Sequence, residues 1–161
     1  MQNNLFNQTL LKKYAKKFKL THKQKEIIGE YIGKIENREF KAETKNYINF
    51  YEYILKEMLG YSTENIGFDE KVDDGVGRSE FVLKEGNNKF MVVELKGQDT
   101  NLDKKQIRKS DTRTPVDQAF GYAIHTGSVE WILLSNYDEF RLYNYHAVSY
   151  THLTLPTTER V

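Results

Sequence analysis

Three charged side chains, Glu80, Glu94 and Lys96, interrupt two apolar runs near the middle of this chain. They stand in Gly77-Arg78-Ser79-Glu80-Phe81-Val82-Leu83 and in Phe90-Met91-Val92-Val93-Glu94-Leu95-Lys96-Gly97. A strand buried on both faces is normally a nearly unbroken apolar run, so charges inside such runs call for a chemical reason. Residues two apart in a strand share a face, which turns Glu94 and Lys96 the same way. Glu80 comes alongside them if the register of the two runs permits. Two converging carboxylates make a hard-oxygen site suited to Mg²⁺, which takes one or two carboxylates and keeps several waters. A neighbouring lysine would orient or deprotonate an attacking water, or offset charge developing on a phosphate. The competing reading is a cross-strand ion pair on the solvated face of a sheet, with Lys96 neutralising one glutamate.

The flanking sequence predicts the elements that would hold these residues. Glu85-Gly86-Asn87-Asn88 has turn chemistry and joins the two runs as a β-hairpin. Ile66–Val72 reads as a short strand before it, with Asp73-Asp74-Gly75 as a turn; Asp73 or Asp74 as a further acidic ligand is the lesser alternative. A helix from about Glu43 to Leu59 carries the stripe Tyr47, Ile48, Tyr51, Ile54, Leu55, Met58, and Gly60 is its natural C-cap. Before it, residues 1–40 hold two helical stripes, Leu5-Leu10-Leu11-Tyr14-Phe18 and Ile27-Ile28-Tyr31-Ile32-Ile35, with Thr21 as an N-cap between them. Lys12, Lys13, Lys16, Lys17, Lys19, Lys23 and Lys25 precede the first acidic residue, Glu26. Such a run either lies against phosphates or forms a solvated helix face.

Beyond Gly97 comes a polar loop with Asp99, Asp103, Lys104, Lys105, Arg108, Lys109 and Arg113. Its length is uncommon in a compact domain; its cations either stand where a substrate backbone would pass or belong to a merely solvated loop. Thr114 is an N-cap, Pro115 suits the first helical position and Asp117 adds negative charge to the first turn. On the helix from Val116 to about His125, Gln118 and Tyr122 share a face, and Ala119 and Ala123 allow close packing on a sheet. Trp131–Ser135 is a buried strand, Asn136–Glu139 a turn, and Phe140–Tyr143 a final edge strand. This order predicts an α/β fold: a mixed central sheet flanked by helices, with an N-terminal helical extension.

Composition narrows the setting. The chain has 161 residues, a net charge of +1 and no cysteine, so it holds about one domain and neither a disulfide framework nor a thiolate metal site. With no signal-like N-terminus and no apolar run long enough to span a bilayer, the expectation is a soluble cytoplasmic protein without a membrane partner. His22, His125, His146 and His152 have no spacing that would gather them around a metal.

Taken together, these motifs resemble the PD-(D/E)xK nuclease superfamily, and most closely the N-terminal nuclease region of type IIG restriction-modification enzymes. The resemblance runs from about Glu43 to Tyr143. It rests on Leu59-Gly60-Tyr61, Gly77-Arg78-Ser79-Glu80-Phe81-Val82-Leu83, Val93-Glu94-Leu95-Lys96, Gln118-Ala119-Phe120-Gly121-Tyr122 and Ser135-Asn136-Tyr137-Asp138-Glu139-Phe140-Arg141-Leu142-Tyr143, which occur in the family's order. It implies a restriction-endonuclease-like fold and a Mg²⁺- or Mn²⁺-dependent endonuclease acting on double-stranded DNA. By the same resemblance, Glu80, Glu94 and the Leu95 carbonyl would hold the metal, Lys96 would orient the attacking water and stabilise the pentacovalent phosphate, and Gln118 would support the site. Glu43 matches a further family glutamate more loosely, with Glu52 and Glu57 as competitors. The family usually has Asp where Glu80 stands; the carboxylate is kept but moves by about a bond length, and roughly 1 Å of misplacement can cost on the order of 10²-fold in rate.

Domain organisation follows as a helical segment over 1–40, a nuclease-like domain over 41–147 and a tail over 148–161. The tail, beginning Val148-Ser149-Tyr150-Thr151-His152-Leu153, resembles translated sequencing-adapter sequence rather than native protein, the alternative being an ordinary Thr-rich extended tail. On that reading the natural chain continues past about Ala147, and the resemblance implies methyltransferase and target-recognition regions there, as well as a possible dimer on DNA. The alternative function is a catalytically inactive nucleic-acid-binding or scaffolding domain of the same fold.

Overall fold

The structure, a computed structural model, describes residues 7–41, 43–71, 78–106, 112–127, 129–147 and 150–154, with backbone alone for 43–45, 69–71, 78 and 150–154. Its helices are α1 (Gln8–Lys17), α2 (His22–Glu36), α3 (Glu43–Phe50) and α4 (Pro115–Thr126), and its strands are β1 (Ile66–Lys71), β2 (Arg78–Glu85), β3 (Asn88–Leu95), β4 (Trp131–Ser135), β5 (Glu139–Asn144) and β6 (Tyr150–Thr154). The strands form one sheet in sequential order β1-β2-β3-β4-β5-β6. Every pairing is antiparallel except β3 with β4, which are parallel and joined through α4. The fold is therefore α/β, a mixed central sheet flanked by helices with an N-terminal helical extension.

Local chemistry explains the boundaries. Thr21 caps α2 in a reciprocal pair with Gln24, and Thr114 caps α4 in the same way with Asp117. The third helix does not stop at Phe50 but widens into π-turns over Tyr51–Met58, and ends as Gly60 takes φ +79°. Gly86 adopts φ +58° in the two-residue turn of the β2–β3 hairpin, a conformation that favours glycine.

Two apolar layers sandwich the sheet. On one face Tyr31, Phe40, Phe50, Tyr51 and Leu55 pack against Phe81, Leu83, Val93 and Leu95. On the other, Ala119, Tyr122 and Ala123 of α4 and Leu102 cover Val82, Val92, Ile132, Leu134 and Tyr143. Tyr137 is fully buried in the β4–β5 turn at φ +73°, held by stacking on Phe40 at 4.5 Å and by the Tyr31 hydroxyl, which donates to its carbonyl. That support offsets the roughly 1–2 kcal/mol that a non-glycine residue meets in the left-handed region.

One expectation is corrected. Phe140–Tyr143 is not the final edge: β6 pairs with β5, with Arg141 opposite His152, so the sheet extends into the segment read as a foreign tail. The α1 helix forms as its stripe predicts, with Leu10, Leu11, Tyr14 and Phe18 all exposed. The periodicity was real, but a helix stripe reports amphipathicity without saying what it packs on. Leu5, Asp73, Asp74, Gly77, Arg108 and Lys109 lie outside the described residues, as does the side chain of Glu43. Among the described residues no helix is long and apolar enough to cross a membrane.

Candidate active site

Pairing register brings the predicted residues to one face. β2 and β3 pair with Phe81 opposite Val93 and Val82 opposite Val92, so the next step along both strands sets Glu80 opposite Glu94. Opposed residues in an antiparallel pair point to the same side of the sheet. Val82 and Val92 lie beneath α4, and Glu80 and Glu94 stand two residues from them, so both carboxylates share the α4 side. Lys96 follows on that side, its N–H donating to the Ser135 carbonyl at 2.8 Å, which carries the β3–β4 ladder one residue past Leu95.

Glu94 and Lys96 form an ion pair, Nζ to Oε1 at 2.5 Å, and each is only 3% exposed. Lys96 thus neutralises one glutamate, as the competing sequence reading expects, but the pair is buried rather than on a solvated face. Glu80 is half-buried on the neighbouring strand. Gln118 is buried on the sheet-facing side of α4 together with Ala119, Tyr122 and Ala123. Because α4 returns the chain between two parallel strands, its N-terminal turn stands over the C-terminal end of β3, where Glu94 and Lys96 sit. The structure thus places all four residues in one layer, between α4 and the β2–β3 end of the sheet.

The Leu95 side chain points the other way, into the core under α2 and α3. Its carbonyl is a different matter. Backbone groups of successive residues in a strand point alternately to the two neighbours; those of Lys96 point to β4, so those of Leu95 point to β2, the strand that carries Glu80. Among the described residues no group of three or more Asp, Glu, His or Cys side chains gathers to hold a metal. Any cation here would be held by Glu80, Glu94 and main-chain oxygen. These hard donors fit Mg²⁺ or Mn²⁺, with the approach from Glu94 Oε2 because Lys96 engages Oε1.

A second polar constellation, missed by sequence reasoning, fastens the chain where it leaves β3. Gln98 donates from Nε2 to the Ile35 carbonyl at 2.8 Å and to Asp138 Oδ1 at 2.7 Å, and its own N–H donates to the Phe40 carbonyl. Asn136 Nδ2 donates to the Thr100 carbonyl at 2.9 Å. Arg141 holds both oxygens of Asp103 at 2.6 and 2.8 Å and donates from Nε to Glu139. The Asp103 carboxylate beside it holds the Arg141 guanidinium above even its usual high pKa. These groups line an open polar cleft of about 380 Å³. Leu134 lies between Glu94 and Arg141 in the cross-strand row, which sets the arginine two strands from the candidate site on the same face. The available signal was Arg141 itself, a cation at an inward position of an alternating strand.

No family model, curated protein or solved structure matches this chain.

Proposed function

We propose that this chain is a Mg²⁺- or Mn²⁺-dependent DNA endonuclease domain of the PD-(D/E)xK type, of the kind that begins type IIG restriction-modification proteins. The observation that carries the reading is the buried Glu94–Lys96 pair, with Glu80 opposite and Gln118 in the covering helix. Burying an ion pair loses hydration that its mutual attraction does not reliably return, and apolar residues of similar volume are often as stable or more so. A charged pair at an otherwise apolar strand end is therefore poorly explained by stability and well explained by chemistry.

In this reading Glu80 and Glu94 would supply the carboxylate oxygens that hold the cation. When bound, the metal supplies Lewis-acid polarisation of the phosphoryl oxygens. Lys96 holds the attacking water in line with phosphorus and offsets the charge that builds on the non-bridging oxygens. The new P–O bond forms from water as the P–O bond to the leaving sugar oxygen breaks; the attacking water gives its proton to solvent, and solvent returns one to the leaving oxygen. Gln118 fixes the helix-side wall of the site. Lys12, Lys13, Lys16 and Lys17, all exposed on α1, favour the second reading, in which the chain binds nucleic acid without cutting it.

Nicking of supercoiled plasmid with Mg²⁺ or Mn²⁺ separates the two. The expected result is nicking by the parent that Glu94→Ala and Lys96→Ala each abolish. Metal-independent DNA binding by a folded parent that never nicks would leave only the non-catalytic reading.

A further inference from the structure

The main chain is held on both sides of Lys96. Its own N–H donates to the Ser135 carbonyl at 2.8 Å, and two residues on the Gln98 N–H donates to the Phe40 carbonyl at 3.0 Å. Between them stands Gly97, the residue type least able to hold a backbone direction by itself. The Gly97 carbonyl accepts from the Thr100 N–H at 2.8 Å, so the chain turns directly after the lysine. The Gln98 side chain ties that turn down. Its Nε2 donates to the Ile35 carbonyl at the end of α2, at 2.8 Å, and to Asp138 Oδ1 in the β4–β5 turn, at 2.7 Å. Both anchors are themselves held, since Phe40 stacks on Tyr137 at 4.5 Å and Tyr31 donates to the Tyr137 carbonyl. Gln98 is 4% exposed, and its Oε1 is buried without a donor among the described residues. A buried acceptor left in that state costs stability, so an amide at this place is poorly explained by packing.

We propose that Gln98 is a positioning residue for Lys96, holding the turn after it so that the ammonium keeps its place against Glu94. As a role in DNA cleavage this rests on the nuclease reading of the same site. In that reading the attacking water takes its direction from Lys96, and about 1 Å of misplacement can cost on the order of 10²-fold in rate. Gln98 acts through the main chain, its amide being engaged by Ile35 and Asp138.

The test compares the parent with Gln98→Glu, Asp138→Ala and the double variant Gln98→Glu/Asp138→Asn. Gln98→Glu keeps the shape, removes both donors and sets a carboxylate against Asp138. In the double variant the new amide at position 138 can donate to the new carboxylate, which restores the tie with its direction reversed. Single-turnover nicking with Mg²⁺ is measured below every melting temperature, with metal-free duplex binding alongside. A readout independent of activity is the ¹⁵N signal of the Lys96 ammonium, assigned by its loss in Lys96→Met, which reports the pairing with Glu94. The expected result for Gln98→Glu is nicking slower by about 10²-fold, duplex binding within about 2-fold of the parent, and a shifted Lys96 signal. The double variant should recover most of the rate and the parent signal. Asp138→Ala leaves the Ile35 acceptor in place and should slow nicking by about 10-fold; it decides the matter if Gln98→Glu does not fold. A Gln98→Glu or Asp138→Ala protein that is less stable but keeps the parent rate and Lys96 signal makes the amide merely structural. That result overturns the proposal and leaves the nuclease reading standing. A loss of rate that the double variant does not recover overturns it as well. A parent that never nicks overturns the nuclease reading, and the Lys96 signal then decides this proposal by itself.

Discussion

The Lys96 ammonium stands 2.5 Å from Glu94 Oε1, with both side chains buried at the end of one strand. Removing one partner strands the other charge in a poorly hydrated layer, whereas removing both leaves only a volume to fill. Lys96→Met alone should therefore cost about 3–5 kcal/mol in urea unfolding, while Glu94→Leu/Lys96→Met together should stay within about 1 kcal/mol of the parent or exceed it. The double variant should not nick plasmid. A single variant as stable as the double would show that the pair is not buried in solution.

Glu80 is half-buried opposite Glu94, one methylene longer than the aspartate usual in the resembled family. Glu80→Gln keeps the shape and removes the charge, so nicking should fall by at least about 10²-fold while metal-free DNA binding holds or strengthens. Glu80→Asp tests the length alone and should retain nicking at or above the parent rate. Parallel rate and binding measurements check both. Equal nicking by parent and Glu80→Gln would remove Glu80 from the site.

Tyr31 buries its ring and donates its hydroxyl to the Tyr137 carbonyl at 3.2 Å. Burial, with smaller contributions from Tyr137 and Asp138, pushes the phenol pKa well above its usual value. A pKa raised in the folded state gives stability that is complete below the unfolded value, about 10, and is lost as pH rises beyond it. Tyr31→Phe should thus cost about 1 kcal/mol at neutral pH through the lost hydrogen bond. Above about pH 10 its stability should fall less steeply than the parent's, and denaturant midpoints at pH 7 to 11 would show the two curves converging.

Much of the fold was legible because local signals agreed. Thr114, Pro115 and Asp117 announced α4, and Gly86 with Asn87 announced the hairpin turn, since caps and turns are settled by a few neighbouring residues. The partner of the α1 stripe was not legible, because amphipathicity does not name the surface it meets. Nor was β6, whose place depends on the free edge of β5 rather than on any strand signal of its own.

For the candidate site, sequence alone determined the chemistry on offer: two carboxylates and an amine in period-two strands, with a glutamine four residues before a tyrosine on a capped helix. Only the tertiary structure decided that Glu80 stands opposite Glu94, that Lys96 is buried against it, and that α4 sets Gln118 over the same end of the sheet. It also decided which groups Gln98 and Arg141 hold, since their partners Ile35, Asp138 and Asp103 lie far from them in the chain. The physical reason is that register and helix placement come from pairing and packing between residues distant in the chain, and spacing along one strand is blind to both.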